Sequence, residues 1–213
     1  MDHQSTIRSL SSQPIPHQLL MTLLKDYDRP NDKIHSLLKD GTLQSIRKGL
    51  YIAGPAINEG KKPEPFLVAN HILGPSYVSL ETALSYHGLI PERVYEVASM
   101  TTKAARKFST PLGSFTYTKL PLPYYAYGIN SVKLADQQYA LIASPEKALF
   151  DKIVTTSGVL FRSKKSVLEY LIENLRIDED MLRKLDTKVM STWLDNSLKR
   201  ESLLMVVDTL KSI

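Results

Sequence analysis

Between Ile7 and Leu38 the apolar side chains recur at helical spacing in three short runs, separated by proline and by charge. Ile7 and Leu10 share the inner face of a first helix over residues 3–11, which breaks before Pro14 and Pro16. Leu19, Leu20, Leu23 and Leu24 make one broad stripe on a second helix from His17 to Asp26. The third run carries its own punctuation. Asp28 can cap the helix, Pro30 suits the first turn, where its missing N–H costs nothing, and Gly41 can end the helix in the left-handed conformation. Ile34, Leu37 and Leu38 then face inward, which leaves Asn31, Lys33, His35, Ser36 and Lys39 on or near the outer side. After Gly41 the period shortens: two runs rich in Leu, Ile and Tyr flank Arg47-Lys48-Gly49, where the glycine supplies the positive φ of a hairpin turn.

Three helices and a hairpin with a basic tip, in this order, outline a winged helix-turn-helix over residues 1–54. The third helix would enter the major groove of duplex DNA, and Arg47 and Lys48 would lie against phosphates. Gly54 to Pro65 is dense in Gly, Pro and charge, so residues 55–65 read as an exposed linker. Gly54 and Gly60-Lys61 do not make a phosphate-binding loop, because the glycines are too far apart and Lys62 stands where a magnesium-binding hydroxyl belongs.

Residues 66–213 read as a mixed α/β domain with a helical C-terminal tail, so the expected fold class is α+β. Helical patterns cover Phe66–Leu73 and Ser79–Glu92, with a brief strand at Tyr77-Val78 between them; the second helix has Ser79 as cap, Leu80, Ala83, Leu84 and His87 as its inner stripe, and Gly88 at its end. His87 fits the last turn of a helix better than a catalytic role. Strand-like runs follow at Val94–Met100, Gly113–Leu120, Ile129–Leu134 and Gln138–Ile142. Helix resumes with Ser144 as cap, Pro145 in the first turn, and Ala148, Leu149 and Ile153 inward; three further apolar stripes run from Val167 to Leu210.

The composition adds constraints. In 213 residues there is no cysteine, so disulfides and thiolate zinc sites are excluded and a reducing cytoplasm is the natural compartment. The N-terminal stretch lacks the apolar core of a signal peptide, and no window is apolar enough for a membrane span. The formal net charge of +5 is compatible with a polyanion, and its distribution is uneven. Val97 to Ala135 holds no Asp or Glu while carrying Lys103, Arg106, Lys107, Lys119 and Lys133, the first four of which make a candidate effector surface. Phe108, Phe115, Tyr117, Tyr124, Tyr125 and Tyr127 lie among these cations, and an exposed loop at Tyr124–Tyr127 would suit an RNA-binding module that stacks bases. Catalytic chemistry is not in view. The histidines form no metal-binding pair, no nucleophile elbow occurs, and Glu81, Glu92, Glu96, Glu146 and Asp151 would have to gather from afar to hold a metal. The reading is of a non-enzymatic protein without cofactor.

Four strings in order, LLKDGTLQSIRKGLYIAG, SLETALSYHGLIPE, SMTTKAARKFSTPLGSFTYTKL and ASPEKALFDKI, resemble the AbiEi antitoxin family of type IV toxin–antitoxin and abortive-infection systems. The resemblance spans Leu37 to Ile153. It implies a bacterial regulator whose N-terminal winged helix binds its own operator, and whose second domain counteracts a nucleotidyltransferase-like toxin without a stable complex. By position it assigns DNA contact to the Asn31–Lys39 helix and the Arg47-Lys48 wing.

Overall fold

In the computed structural model, which describes residues 3–135 and 137–213, the three N-terminal runs form α1 (His3–Ser9), α2 (His17–Leu23) and α3 (Pro30–Lys39). Pro30 occupies the first turn of α3, and Gly41 follows its end at φ +78°. Asp28 is not the cap. Arg29 holds that position without a side-chain bond to the helix, and it lies 3.8 Å from Asp32 on the surface. The hairpin is β2 (Leu43–Arg47) and β3 (Leu50–Ala53), with Gly49 at φ +82°. A strand the pattern did not reveal, β1 (Ile15–Pro16), pairs with β3. Pro16 reads as a breaker in sequence, yet on an edge strand a proline need not donate to a ladder.

The hairpin has two buried faces. Leu43, Tyr51 and Ala53 pack against Ile7, Leu20, Ile34 and Leu37, whereas Ile46, Leu50 and Ile52 point the other way, into the large cluster with Val68, Ile72 and Tyr117. One thin element therefore serves as a wall for both hydrophobic clusters. The stretch after it is not exposed throughout: Ile57 and Asn58 are 8% and 7% exposed, Pro63 is buried, and Gln138 bonds the backbone at Lys62 and Glu64.

The remaining chain forms α4 (Pro65–Ile72), β4 (Ser76–Val78), α5 (Leu80–Tyr86), β5 (Val97–Thr101), β6 (Arg106–Thr110), β7 (Gly113–Lys119), β8 (Ile129–Lys133), β9 (Tyr139–Ala143) and α6 (Pro145–Thr155). The strands make a mixed sheet in the order β6-β7-β5-β4-β9-β8, with β4–β9 and β5–β7 parallel. Helices cover both faces. On one side the Tyr117 hydroxyl donates to the Ala69 carbonyl of α4 at 2.6 Å; on the other the Tyr77 hydroxyl donates to Asp151 of α6 at 2.9 Å. Because β4 is short, the Asn70 side chain of α4 takes the place of a strand neighbour, bonding the N–H of Leu141 at 2.7 Å and its carbonyl at 3.4 Å. The tail comprises α7 (Lys164–Leu168), which runs on into the π-helical turn Glu169–Asn174, then α8 (Glu179–Leu182), α9 (Thr187–Thr192) and α10 (Arg200–Leu210). Lys199 fastens the tail to α6 by donating to the carbonyls of Ile153 and Thr156. Among the described residues no helix is long and apolar enough to cross a membrane.

Deep in the larger unit, Lys147 and Asp151 sit one turn apart on α6, 2.9 Å from each other and without solvent exposure. Asp151 also accepts from Tyr77 and, at 2.7 Å, from Ser79, which occupies the N-cap position of α5 as expected but gives its hydroxyl to Asp151 and makes no side-chain bond to the helix. Lys147 donates to the Tyr124 carbonyl and lies 3.4 Å from the centre of its ring. Burial pushes the Asp151 carboxyl up and the Lys147 ammonium down, each opposed by the other's charge. Ser144 does cap α6, accepting from the Lys147 N–H.

Replacing Asp151 with Ala should cost about 3–5 kcal/mol, since it strands a buried cation, whereas the double change Lys147→Met, Asp151→Leu should recover most of the loss. Urea denaturation of both variants measures this, and a single variant as stable as the double would contradict it. Ile52→Ala should cost about 2–5 kcal/mol and leave a single calorimetric transition, because the hairpin belongs to both clusters. Two separable transitions would show that it does not couple them.

Candidate nucleic-acid interface

The helical period of α3 buries Ile34 and Leu37 and leaves Asn31, His35, Ser36 and Lys39 exposed. None of these four side chains has a hydrogen-bond or ionic partner among the described residues. Lys33 is half-buried, its ammonium 5.4 Å from the centre of the Tyr27 ring. At the hairpin tip Lys48 is exposed, and the Gly49 carbonyl accepts from the His17 N–H at 2.9 Å, which ties the tip to the start of α2.

Arg47 is placed differently from the expectation of a free wing cation. Its guanidinium donates to the Ile72 carbonyl at 2.5 Å and lies 5.1 Å from the centre of the Phe108 ring. The cause is a register shift: Ser45 faces Tyr51 and Arg47 faces Leu50, so Ile46 is an extra residue. Simple alternation would put Ile46 and Arg47 on opposite faces; the bulge turns both toward the larger unit. Arg47 therefore fastens the hairpin to α4 and β6.

Beside it lies a cleft of about 300 Å³, where Lys48, His71 and Lys103 line the space between the hairpin tip and the end of α4. Lys103, expected on a separate effector surface, thus shares a cleft with the wing. The rest of that surface is dispersed. Lys107 pairs with Glu96 at 3.0 Å, while Arg106 and Lys119 are exposed at the edge of the sheet and at the end of β7. The acid-free segment is acid-free only in sequence, because Glu96 stands one residue before β5.

The aromatic loop is interior. Tyr124 and Tyr125 are 0% and 8% exposed in a 3-10 turn, and Tyr127 stacks on Trp193. Phe115 and Tyr117 are sheet core, and Phe108 lies under Arg47. A base-stacking platform is therefore absent from these six residues. Burial raises the Tyr124 hydroxyl well above its ordinary range, as it does that of Tyr77, with the Asp151 charge adding to both.

The carboxylates considered as metal ligands are dispersed too: Glu81 pairs with Lys152, Glu92 with Arg176, Glu96 with Lys107 and Asp151 with Lys147, while Glu146 accepts from Ser144 and from the Asp186 N–H. His87 bonds the Ala143 carbonyl at 2.8 Å, a structural post at the end of α5. No protein-family model matches the chain, and no characterised protein matches its sequence.

Nothing in the sequence marks the bulge, so the change of role at Arg47 had no local signal. Arg47→Ala should lower stability by about 2–5 kcal/mol, the sum of a charged hydrogen bond and a cation–π contact. Thermal and urea unfolding read this out, and an unchanged midpoint would deny Arg47 the fastening role.

Proposed function

We propose that the N-terminal unit is a winged helix-turn-helix that binds duplex DNA, with α3 in the major groove and Lys48 at the wing tip against the backbone. The observation that carries this reading is the outer face of α3, where Asn31, His35, Ser36 and Lys39 are exposed and without partners while the inner face is fully engaged. Such a face presents amide, imidazole and ammonium groups at helical spacing, the chemistry that reads base edges and phosphates. The order α1, β1, α2, α3, β2, β3, with β1 on the outer edge of β3, supports the same reading.

The chain as a whole is then a cytoplasmic DNA-binding regulator and antitoxin of a type IV toxin–antitoxin system. It represses its own operon and counteracts a nucleotidyltransferase-like toxin without a stable complex. The resemblance of the four strings supports this part. Growth rescue on co-expression with the adjacent gene tests it, and a chain that fails to relieve toxicity while still binding the promoter would reduce the reading to a regulator. Duplex DNA is preferred over RNA as partner, since Tyr117, Tyr124 and Tyr125 are buried and Tyr127 is stacked on Trp193.

With Arg47 engaged inside the protein, Lys33, Lys39 and Lys48 are the phosphate-facing cations of the unit. Three contacts give a slope of log affinity against log salt of about −2.7, from about −0.9 per contact. Lys48→Ala should flatten the slope by about 0.9 on every duplex, whereas Asn31→Ala or His35→Ala should relax sequence preference and leave the slope alone. Mobility-shift titrations on the upstream promoter measure both effects. A slope insensitive to Lys39 and Lys48 would remove the assignment.

A further inference from the structure

At the end of the sheet where β5 and β7 begin, a cavity of about 280 Å³ opens between the start of α4, the end of α5 and the turn between β6 and β7. Phe66 and Tyr86 form an edge-to-face aromatic wall, their rings 5.7 Å apart, and Tyr86 is 44% exposed. Ser85 and Ser114 bring hydroxyl groups, and Arg93 and Tyr95 stand at the rim. Tyr95 is 85% exposed, and the Arg93 guanidinium lies 5.7 Å from its ring centre. A tyrosine so exposed adds little to the core.

No Asp or Glu among the described residues lines this cavity, although the adjoining cavity that shares Arg93, Val94 and Tyr95 is lined by Glu81 and Glu96. The three nearest carboxylates in sequence are each paired elsewhere, Glu81 with Lys152, Glu92 with Arg176 and Glu96 with Lys107. Arg93 is left with no carboxylate partner among the described residues, held beside the Tyr95 ring in the lining of a cavity that Tyr86 also lines. We propose that this cavity is a nucleotide-binding site, which takes a nucleobase against Tyr86 and Tyr95 and its phosphate on Arg93. Every nucleobase has a flat face that stacks on an aromatic ring, and an arginine fork matches phosphate geometry with two parallel hydrogen bonds. The hydroxyls of Ser85 and Ser114 can meet base edges: the Ser85 hydroxyl donates to the Glu92 carbonyl and keeps its oxygen free to accept.

The same chemistry is offered by a free nucleotide and by a nucleotide within a single strand, and one titration separates the two sources. The full chain is titrated calorimetrically with adenosine, adenosine 5′-monophosphate, benzoate and a short oligoadenylate, each up to millimolar concentration. The monophosphate should bind about tenfold more tightly than adenosine, a factor equal to one good charged contact. Arg93→Ala should erase that difference, and Tyr95→Ala should weaken adenosine and monophosphate alike. Both residues are exposed, so the variants are expected to fold, and circular dichroism with unchanged promoter binding verifies that they have. Oligoadenylate binding more tightly than the monophosphate, with the same dependence on Arg93, assigns the site to a strand; equal or weaker binding assigns it to a free nucleotide. Benzoate binding as tightly as the monophosphate, no binding by either nucleotide form, or binding indifferent to both substitutions overturns the proposal.

Discussion

Taking the Lys147 ammonium and the Asp151 carboxylate out of water costs several kcal/mol per ion unless each meets the other and finds further partners. The chain meets that requirement from four places at once. Tyr77 comes from β4, Ser79 from the junction into α5, the Tyr124 carbonyl from the 3-10 turn, and the pair itself from α6. Shift any one of them and a buried charge loses a bond. Even the backbone nearby is constrained: at Gly128, with φ +59°, a Cβ atom would approach Lys147 to 2.7 Å and Trp193 to 2.8 Å, so only glycine fits. The pair is thus a device that fixes which strand, turn and helix belong together, and its own burial makes it a poor source of net stability.

How much of this was legible followed how far apart the determinants lie. Pro30, Gly41 and Ser144 act on their own helices, and sequence pattern places them correctly. Ser79 has the same local appearance as Ser144 but a different role, because Asp151 is 72 residues away and no local rule sees it. Two strands were hidden for separate reasons. β1 is two residues long and contains a proline, and β6 is an edge strand with Arg106, Lys107 and Ser109 all exposed, so hydrophobic alternation is masked.

The candidate interface divides in the same way. The outer face of α3 could be read from its period, since burial of Ile34 and Leu37 dictates where Asn31, His35, Ser36 and Lys39 must point. The basic and aromatic residues after Val97 could not. Whether a tyrosine beside prolines is loop or core depends on what packs over it, here Lys147 and Tyr77 on Tyr124 and Tyr125. Whether a lysine is free depends on a neighbour such as Glu96, whose pairing with Lys107 runs across the sheet. Lys103 meets Lys48 only because the hairpin docks where α4 ends.

The extra residue in β2 has an evolutionary consequence. Strand side chains keep parity, so each position belongs to one cluster or the other, and Ile46 is where the count is reset. A lineage that lost or gained one residue here would exchange the two clusters' claims on everything between Ile46 and the tip, and Arg47 would swing toward α2 in place of Phe108. Substitutions along this hairpin can accumulate one at a time, but its length cannot drift by single steps. Homologous chains should therefore be aligned through this turn without gaps, and a gap at this point would mark a different way of joining the two units.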